Sequence, residues 1–292
     1  MKPGLLRAMP AVFVLVWSTG FVVARYAMPH AQPLAFLALR FALSVLAFAV
    51  WIALSRAPWP RGRAQWLHLG VTGIFMQAGY LGGVWCAVKA GLGAGMAALV
   101  VGLQPVLTAL WISARGRSHR VDPRQWAGLW LGLAGLLLVV WHKLHLGQVD
   151  AGNLALAVLA LASITAGTLY QKRWVAPCDV RTASTVQLLA ALVVTLPLAL
   201  LEPWQLDPQP ALWWALAWSV GALTLGGSSL LYLLIQRGAA TSVSSLMYLV
   251  PPCTAVLAWW LFGETLTPLV WAGMALTAAG VALVVQRPQI ST

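Results

Sequence analysis

Long apolar stretches separated by short polar connections run the whole length of this 292-residue chain. A helix that crosses a bilayer needs about 20 mainly apolar residues. Stretches of that kind predict ten membrane-spanning helices, at Ala8–Tyr26, Pro33–Ser55, Trp66–Val88, Ala94–Ile112, Pro123–Trp141, Gly152–Gln171, Arg181–Leu201, Ala211–Ile235, Thr241–Phe262 and Pro268–Val285. The connections between them are too short to form a soluble domain.

The fifth and tenth predicted spans have related sequences. Trp126–Val140 reads WAGLWLGLAGLLLVV and Trp271–Val285 reads WAGMALTAAGVALVV, so nine of fifteen positions are identical at an offset of 145 residues. Pro123 and Pro268 keep the same offset just before each run. A repeat close to half the chain length indicates duplication of one unit. We therefore predict two five-helix repeats, at residues 8–141 and 152–285.

Composition narrows the fold class. Hydrophobic residues make up 61% of the chain and charged residues 8%, with a mean hydropathy of +0.83. Such a chain has too few polar residues to cover the surface of a soluble fold. We therefore predict an all-α integral membrane protein. The first span, preceded by Lys2 and Arg7, also has the features of a signal peptide. The nine further spans favour a retained first helix.

The basic residues lie mainly on one side of the predicted bundle. With the N-terminus in the cytoplasm, only Arg25, Lys89 and Lys143 fall on the far side. The cytoplasmic set is Lys2, Arg7, Arg56, Arg61, Arg63, Arg115, Arg117, Arg120, Arg124, Lys172, Arg173, Arg181, Arg237 and Arg287. The positive-inside rule then predicts a multi-pass protein of the cytoplasmic (inner) membrane with both termini cytoplasmic. This arrangement explains the net charge of +12, so nucleic acid is not an expected partner.

An odd number of helices per repeat inverts the second copy relative to the first. The loops before the fifth and tenth spans differ accordingly, because the first is rich in arginine and the second, FGETLTP, carries Glu264 and no base. Equivalent loops of such different charge are expected to face opposite compartments. Inverted repeats are the usual architecture for alternating access in transporters.

Several runs resemble the EamA-type drug/metabolite transporter superfamily. They are WSTGFVVARY, PLAFLALRF, AGMAALVVGLQPVLTAL and WAGLWLGLAGLLLVV in the first half and SVSSLMYLVPPCTAVLAWWLFGETLTPLVWAGMALTAAGVALVV in the second. The resemblance covers nearly the whole chain. It implies a ten-helix exporter of small polar metabolites, most of all amino acids or related compounds, with a cavity between the halves. The FGE–TP element is intact only in the second half, where Glu264 stands opposite His119, so any family role of this acid would transfer to Glu264 alone.

Prolines interrupt corresponding spans of the two halves. Pro105 lies in the fourth span, and Pro251 and Pro252 lie in the ninth. A proline within a span frees a backbone carbonyl and kinks the helix. Broken helices at matching positions are the best sequence indication of a transport site, so we predict helix breaks or gating at these prolines. A kink that serves only packing is the alternative.

Polar side chains within the spans are expected to face the interior of the bundle. The predicted substrate-binding residues are Trp17, Ser18, Gln77, Tyr80, Gln104, Thr165, Thr168, Ser228, Tyr232, Ser244 and Tyr248. Each hydroxyl alone has the alternative role of a hydrogen bond between helices. Together they predict a neutral cavity that suits zwitterions, amides or flat heterocycles better than strong anions.

The other ionisable residues and the cysteines give few indications of a functional site. Arg40 lies about 10 Å into the second span at 1.5 Å per residue, where it either snorkels to the surface or takes part in gating. His142, His145 and Asp150 are too loosely spaced to predict a metal site. The three cysteines indicate no disulfide framework, and no cofactor is expected.

All six acidic residues fall in loops or at helix ends. Because proton-driven carriers commonly hold an acid within the membrane, we predict that export is downhill or weakly ion-coupled.

The expected partners are a small-molecule substrate and the lipid bilayer, and the chain is expected to act as a monomer or homodimer. Import, and efflux of drugs or quaternary amines, remain alternatives. A membrane enzyme for lipid-linked substrates is a further alternative, but it needs a nucleophile–base pair that the spans do not provide, so no enzymatic activity is expected.

Overall fold

The computed structural model describes residues 3–115, 123–145, 147, 149–203, 206–227, 230 and 249–285. The helices are α1 (Pro3–Ala27), α2 (Pro33–Ser55), α3 (Arg63–Gly73), α4 (Tyr80–Lys89), α5 (Ala94–Val101), α6 (Gln104–Arg115), α7 (Pro123–His145), α8 (Ala151–Trp174), α9 (Val180–Leu201), α10 (Pro210–Trp218), α11 (Val250–Phe262) and α12 (Pro268–Val285). Two π-helical segments, Ile74–Gly79 and Ser219–Gly226, follow α3 and α10 directly. Within these residues the predicted all-α class is confirmed.

Several helices have the length that membrane crossing requires. Among the described residues, five continuous helical stretches are long and apolar enough to span a bilayer, and they are Pro33–Ser55, Arg63–Lys89, Trp126–Leu144, Ala151–Trp174 and Val180–Leu201. Shorter apolar helices lie at Ala11–Ala27, Ala94–Thr108, Val250–Phe262 and Pro268–Leu283. The predicted eighth and ninth spans, Ala211–Ile235 and Thr241–Phe262, are described only in part.

The two repeats pack about a pseudo-twofold axis. The equivalent helices α2 and α9, and likewise α7 and α12, pack directly against each other, and α5 of the fourth span packs against α11 of the equivalent ninth span. The third span of each repeat packs on the first span of the other, so that α3 and α4 contact α8 while α10 contacts α1. An arrangement in which each surface meets its own equivalent is the mark of twofold symmetry.

The contact between α7 and α12 shows the inversion directly. A Cβ added to Gly135 would lie 2.5 Å from the carbonyl oxygen of Gly273, and one added to Gly280 would lie 2.5 Å from the carbonyl oxygen of Gly128. Gly280 is the equivalent of Gly135 and Gly273 is the equivalent of Gly128 at the offset of 145 residues, so the two repeats make the same contact. Residue numbers rise along one helix as they fall along the other, so the equivalent helices are antiparallel and the predicted inverted repeats are confirmed.

Acidic side chains cap the N-terminal ends of four helices. Asp150 and Asp179 accept backbone hydrogen bonds at the starts of α8 and α9, which follow them in the chain. Two other acids act across the repeats, because Glu202 accepts from the amides of Leu34 and Ala35 in α2 at 3.1 and 3.2 Å. Likewise Glu264 accepts from the amide of Ala94 in α5 at 2.8 Å. These carboxylates satisfy orphan N–H groups at positive helix ends.

Candidate functional site

A cavity of about 130 Å³ lies between helices of both repeats. The first repeat contributes α1, α2, the first π segment and α4, and the second contributes α8 and the second π segment. The lining residues are Trp17, Gly20, Phe21, Arg40, Met76, Gln77, Tyr80, Leu81, Val84, Trp85, Ile164, Leu223 and Thr224. Of the predicted substrate-binding residues, Trp17, Gln77 and Tyr80 lie together in this lining.

Two tryptophans that line the cavity pack against neighbouring phenylalanine rings. Trp85 is 1% exposed and stacks on Phe36 with 4.5 Å between ring centroids, which joins α4 to α2. Trp17 packs against Phe13 on α1 at 5.4 Å. Aromatic pairs of this kind contribute about 0.5–1.5 kcal/mol beyond their buried area. They therefore stabilise the aromatic side of the cavity.

Arg40 extends into the cavity. Its side chain is buried and lies among the lining residues, so the expectation that it snorkels to the surface is wrong. Its Nη2 donates to the hydroxyl of Thr224 at 3.3 Å, and that hydroxyl donates to the carbonyl of Ser219 at 2.8 Å. The bond links α2 of the first repeat to the second π segment. Within the part of the chain that the structure describes, Arg40 Nε has no hydrogen-bond partner.

The π segments occupy equivalent positions of the two repeats. Ile74 and Ser219, their first residues, are separated by the repeat offset of 145. Both segments line the cavity, through Gln77 in the first and Thr224 in the second. Short π-helical turns within α-helices occur frequently at functional sites, because the wider turn leaves local backbone groups differently placed. The sequence analysis contained neither π segment.

The interruption of the fourth span lies beside the prolines of the ninth. The fourth span is interrupted between α5 and α6, just before Gln104 and Pro105, and Pro251 and Pro252 lie in the first turn of α11. A Cβ on Gly102, within the interruption, would lie 2.9 Å from the ring of Pro251. The interrupted fourth span therefore packs against the proline-rich start of α11. These residues do not line the cavity.

Other predicted residues lie outside the cavity. Ser18 is fully buried, donates to the carbonyl of Val14 at 2.8 Å, and its own carbonyl accepts from Thr254 of α11 at 3.2 Å. Gln104 donates to Thr168 at 3.2 Å, which links α6 to α8. Ser228, Tyr232, Ser244 and Tyr248 lie outside the described residues.

A separate, open groove of about 660 Å³ runs between α6 and α8. Thr165 lies in its lining, while the hydroxyl of Thr165 donates to the carbonyl of Leu161 in its own helix at 2.7 Å. Trp111, Tyr170 and Arg173 also line it. Ile164 lines the cavity and Thr165 the groove, so α8 separates the two spaces.

Thr224 and Trp85 are lining residues that the sequence analysis did not select. Thr224 stands 145 residues after Gly79, which does not line the cavity, so the repeat alone does not place Thr224 there. Arg40 had a stronger signal, since an ionisable residue within a span indicates a functional site by default. Among the described residues, no group of three histidine, cysteine or acidic side chains is arranged to hold a metal ion.

The bundle and its cavity define a membrane protein of two inverted repeats with an internal site between them. A solved crystal structure shares this fold, with a TM-score of 0.64, 20% identity and coverage of 97% of this chain and 98% of the other. The model of the EamA-like transporter family matches residues 4–141 and again residues 152–286. The chain belongs to the EamA-like transporter family and is a membrane transporter.

Two relatives match over most of their length. A protein of Salmonella typhimurium named "Probable amino-acid metabolite efflux pump" is 28% identical, over 91% of this chain and 90% of its own. A protein of Escherichia coli named "Uncharacterized inner membrane transporter YedA" is also 28% identical, over 96% of this chain and 91% of its own.

Proposed function

We propose that this transporter exports small polar metabolites, most of all amino acids or related compounds. The observation that carries the proposal is the cavity between the repeats, which combines a guanidinium, an amide and hydroxyls with an aromatic wall. The name of the Salmonella typhimurium relative supports the substrate class. Arg40 in the lining disfavours the alternative of quaternary-amine efflux, because like charges repel at short range.

The proposed mechanism is alternating access between the inverted repeats. The cavity takes its walls from both repeats, so rocking of one against the other changes its exposure. The two repeats contact each other on the side of the bundle on which α1 ends, which is here called the opposite side. The contacts include Glu202 with α2, Glu264 with α5, and Asp207, whose amide donates to the carbonyl of His30 at 2.8 Å. These contacts would have to break when that side opens.

We also propose that coupling to ions is weak or absent. Among the described lining residues there is no aspartate, glutamate or histidine to carry a proton through the membrane. The proposed location is the inner membrane with both termini cytoplasmic, because the side on which α1 begins carries Arg56, Arg63, Lys172 and Arg173. The oligomeric state, monomer or homodimer, is part of the same proposal.

Transport by the purified protein in liposomes tests this function. Liposomes are loaded with a panel of radiolabelled amino acids, amides and quaternary amines, and efflux is compared with uptake from outside. We expect amino acids to leave faster than from protein-free liposomes, and Tyr80→Ala to slow them. Tyr26→Ala is the matched control, because Tyr26 lies on α1, is 48% exposed and does not line the cavity.

Two results would contradict the proposal. No movement of any panel compound would remove the export function itself. An imposed pH gradient that drives accumulation well above equilibrium would overturn weak coupling while leaving transport in place.

A further inference from the structure

Arg40 is a buried base without an acidic partner among the described residues. Its side chain is 7% exposed, and it lies seven residues into α2, about 10 Å along the helix axis. Two of the described acids, Glu202 and Glu264, accept hydrogen bonds from the helix starts of α2 and α5 and not from Arg40. Burying a charge without a partner is costly. Something other than these carboxylates must compensate Arg40.

Arg40 lines the cavity, and the described residues use only part of its hydrogen-bonding capacity. Nη2 donates to Thr224, a neutral hydroxyl at 3.3 Å, and Nε has no acceptor within the described part of the chain. A guanidinium carries five N–H donors in a planar fork that matches the two oxygens of a carboxylate. An anion that enters the cavity would supply acceptors for this fork.

We infer that Arg40 binds the carboxylate of the transported molecule, and that the substrates are compact monocarboxylates, amino acids among them. This inference rests on the proposed export function and names the chemistry of its site. It changes the expectation of a neutral cavity, because the one ionised group in the described lining is a cation.

The rest of the cavity limits the substrate further. Phe21, Leu81, Val84 and Ile164 provide an apolar wall for a small side chain. Gln77, Tyr80 and Thr224 have oxygen atoms that accept from an ammonium group, but none of them is charged. A cavity of about 130 Å³ is close in size to an engineered cavity of about 150 Å³ that holds benzene. Compact acids therefore fit with or without an α-amino group.

Three nearly isosteric compounds separate the contributions of the charged groups. L-valine carries both a carboxylate and an ammonium, 3-methylbutanoate carries only the carboxylate, and L-valinamide carries only the ammonium. Binding of each to the full-length protein in detergent is measured by ligand-induced thermal stabilisation. We expect both acids to bind at least about tenfold more tightly than the amide, because hydrogen bonds to a charged group are the strong ones.

Variants test whether Arg40 causes this preference. In Arg40→Gln the ratio of acid to amide affinity should fall close to one, and in Arg40→Lys part of the preference should remain because the charge remains. Arg63→Gln removes one arginine charge at the exposed start of α3, outside the cavity, and should keep the full preference. The wild-type comparison of acid and amide stands even if Arg40→Gln fails to fold.

The inference is overturned if L-valinamide binds as tightly as the acids, if neither acid binds, or if Arg40→Gln keeps the acid preference. Efflux from liposomes separates this failure from failure of the export function. Transport of amides or amines without acids would leave the exporter in place and remove only the role of Arg40. Absence of all transport would remove the proposed function itself.

Discussion

Individual acidic residues in this transporter organise helix ends across the repeats. Glu264 belongs to the FGE–TP element, yet its carboxylate contacts α5 of the first repeat. A Cβ on Gly93, the residue before α5, would lie 2.6 Å from Glu264 Oε2, so only glycine leaves room for the carboxylate there. Glu202 makes the equivalent type of contact with α2. Acids at helix ends thus stabilise the fold without placing a charge in the cavity.

Replacing Glu264 with alanine tests this role. The amide of Ala94 is buried and would lose its acceptor, and an unsatisfied buried donor costs about 1–3 kcal/mol. We expect Glu264→Ala to lower the free energy of unfolding by that amount in detergent. Thr265→Ala, at the exposed next residue, is the control. Equal stability of the two variants would contradict the capping role.

Asp179 predicts a pH dependence of stability. The hydrogen bonds from the Arg181 side chain, at 2.9 and 2.7 Å, lower the pKa of the Asp179 carboxyl below its ordinary value. A lowered folded-state pKa stabilises the fold above the unfolded pKa, near 4, and this stabilisation is lost as the pH falls through the folded pKa. Asparagine also caps helices, so Asp179→Asn removes mainly the charge.

The wild-type protein should therefore melt above Asp179→Asn at pH 7, and the two melting temperatures should converge as the pH falls through the lowered pKa of Asp179. Thermal unfolding in detergent across this range measures the difference. A gap of constant size at every pH would show that the carboxylate charge contributes nothing.

Pairs of helices carry the twofold architecture. One close approach joins α7 and α12, where glycines let the backbone of each helix reach the carbonyls of the other. Thr277 adds a hydrogen bond to the carbonyl of Gly132 at 3.4 Å, and these two residues are also equivalent in the repeats. Small residues permit close packing in membranes, where no hydrophobic force drives helices together. This contact therefore determines how the ends of the two repeats meet.

Gly280→Ala tests that helix pair. The new Cβ would lie 2.5 Å from both the Gly128 oxygen and the Gly132 nitrogen, so the helices must separate. Overpacking of this kind costs about 1–3 kcal/mol. Gly70→Ala is the control, because its Cβ would make an ordinary contact of 3.6 Å with Ala190. We expect the control to be neutral or more stable in thermal unfolding, and a stable Gly280→Ala would contradict the close approach.

At the scale of the whole molecule, the cavity lies between the two repeats, and contacts between the repeats lie at both ends of the bundle. On the side on which α1 begins, Gln65 donates to the carbonyl of Ala176 at 2.8 Å, and further contacts between the repeats lie on the opposite side. His30 and Asp207 meet there with 3.5 Å between Nδ1 and Oδ2, beside the backbone bridge from Ala31 to Leu206. If transport requires this side to open, a covalent link between the two loops must stop it.

A disulfide between positions 30 and 207 provides that link. In a background without Cys86, Cys178 and Cys253, the double variant His30→Cys/Asp207→Cys should transport when reduced and fall to the rate of protein-free liposomes when oxidised. The single variant Asp207→Cys should be insensitive to the oxidant. Unchanged transport by a fully cross-linked protein would exclude opening between these loops.

Local features of the chain were enough to predict the helical class and the inverted repeat. Apolar runs of spanning length, the 145-residue offset and the unequal loop charges are all visible along the sequence. The orientation of side chains was not, because lipid and neighbouring helices are both apolar and hydropathy does not distinguish them. Trp17 lies in the cavity while the adjacent Ser18 lies in a contact with α11.

Packing between the repeats supplied the remaining information. It directs Arg40 inward to Thr224, brings Glu264 to α5, and gives Gln77 and Thr224 their positions in two equivalent π segments. Each of these contacts joins residues that are more than 140 positions apart or depends on a local change of helix type. Periodicity along the chain reports which segments are helices, whereas the meeting of distant side chains follows only from the folded arrangement of the helices.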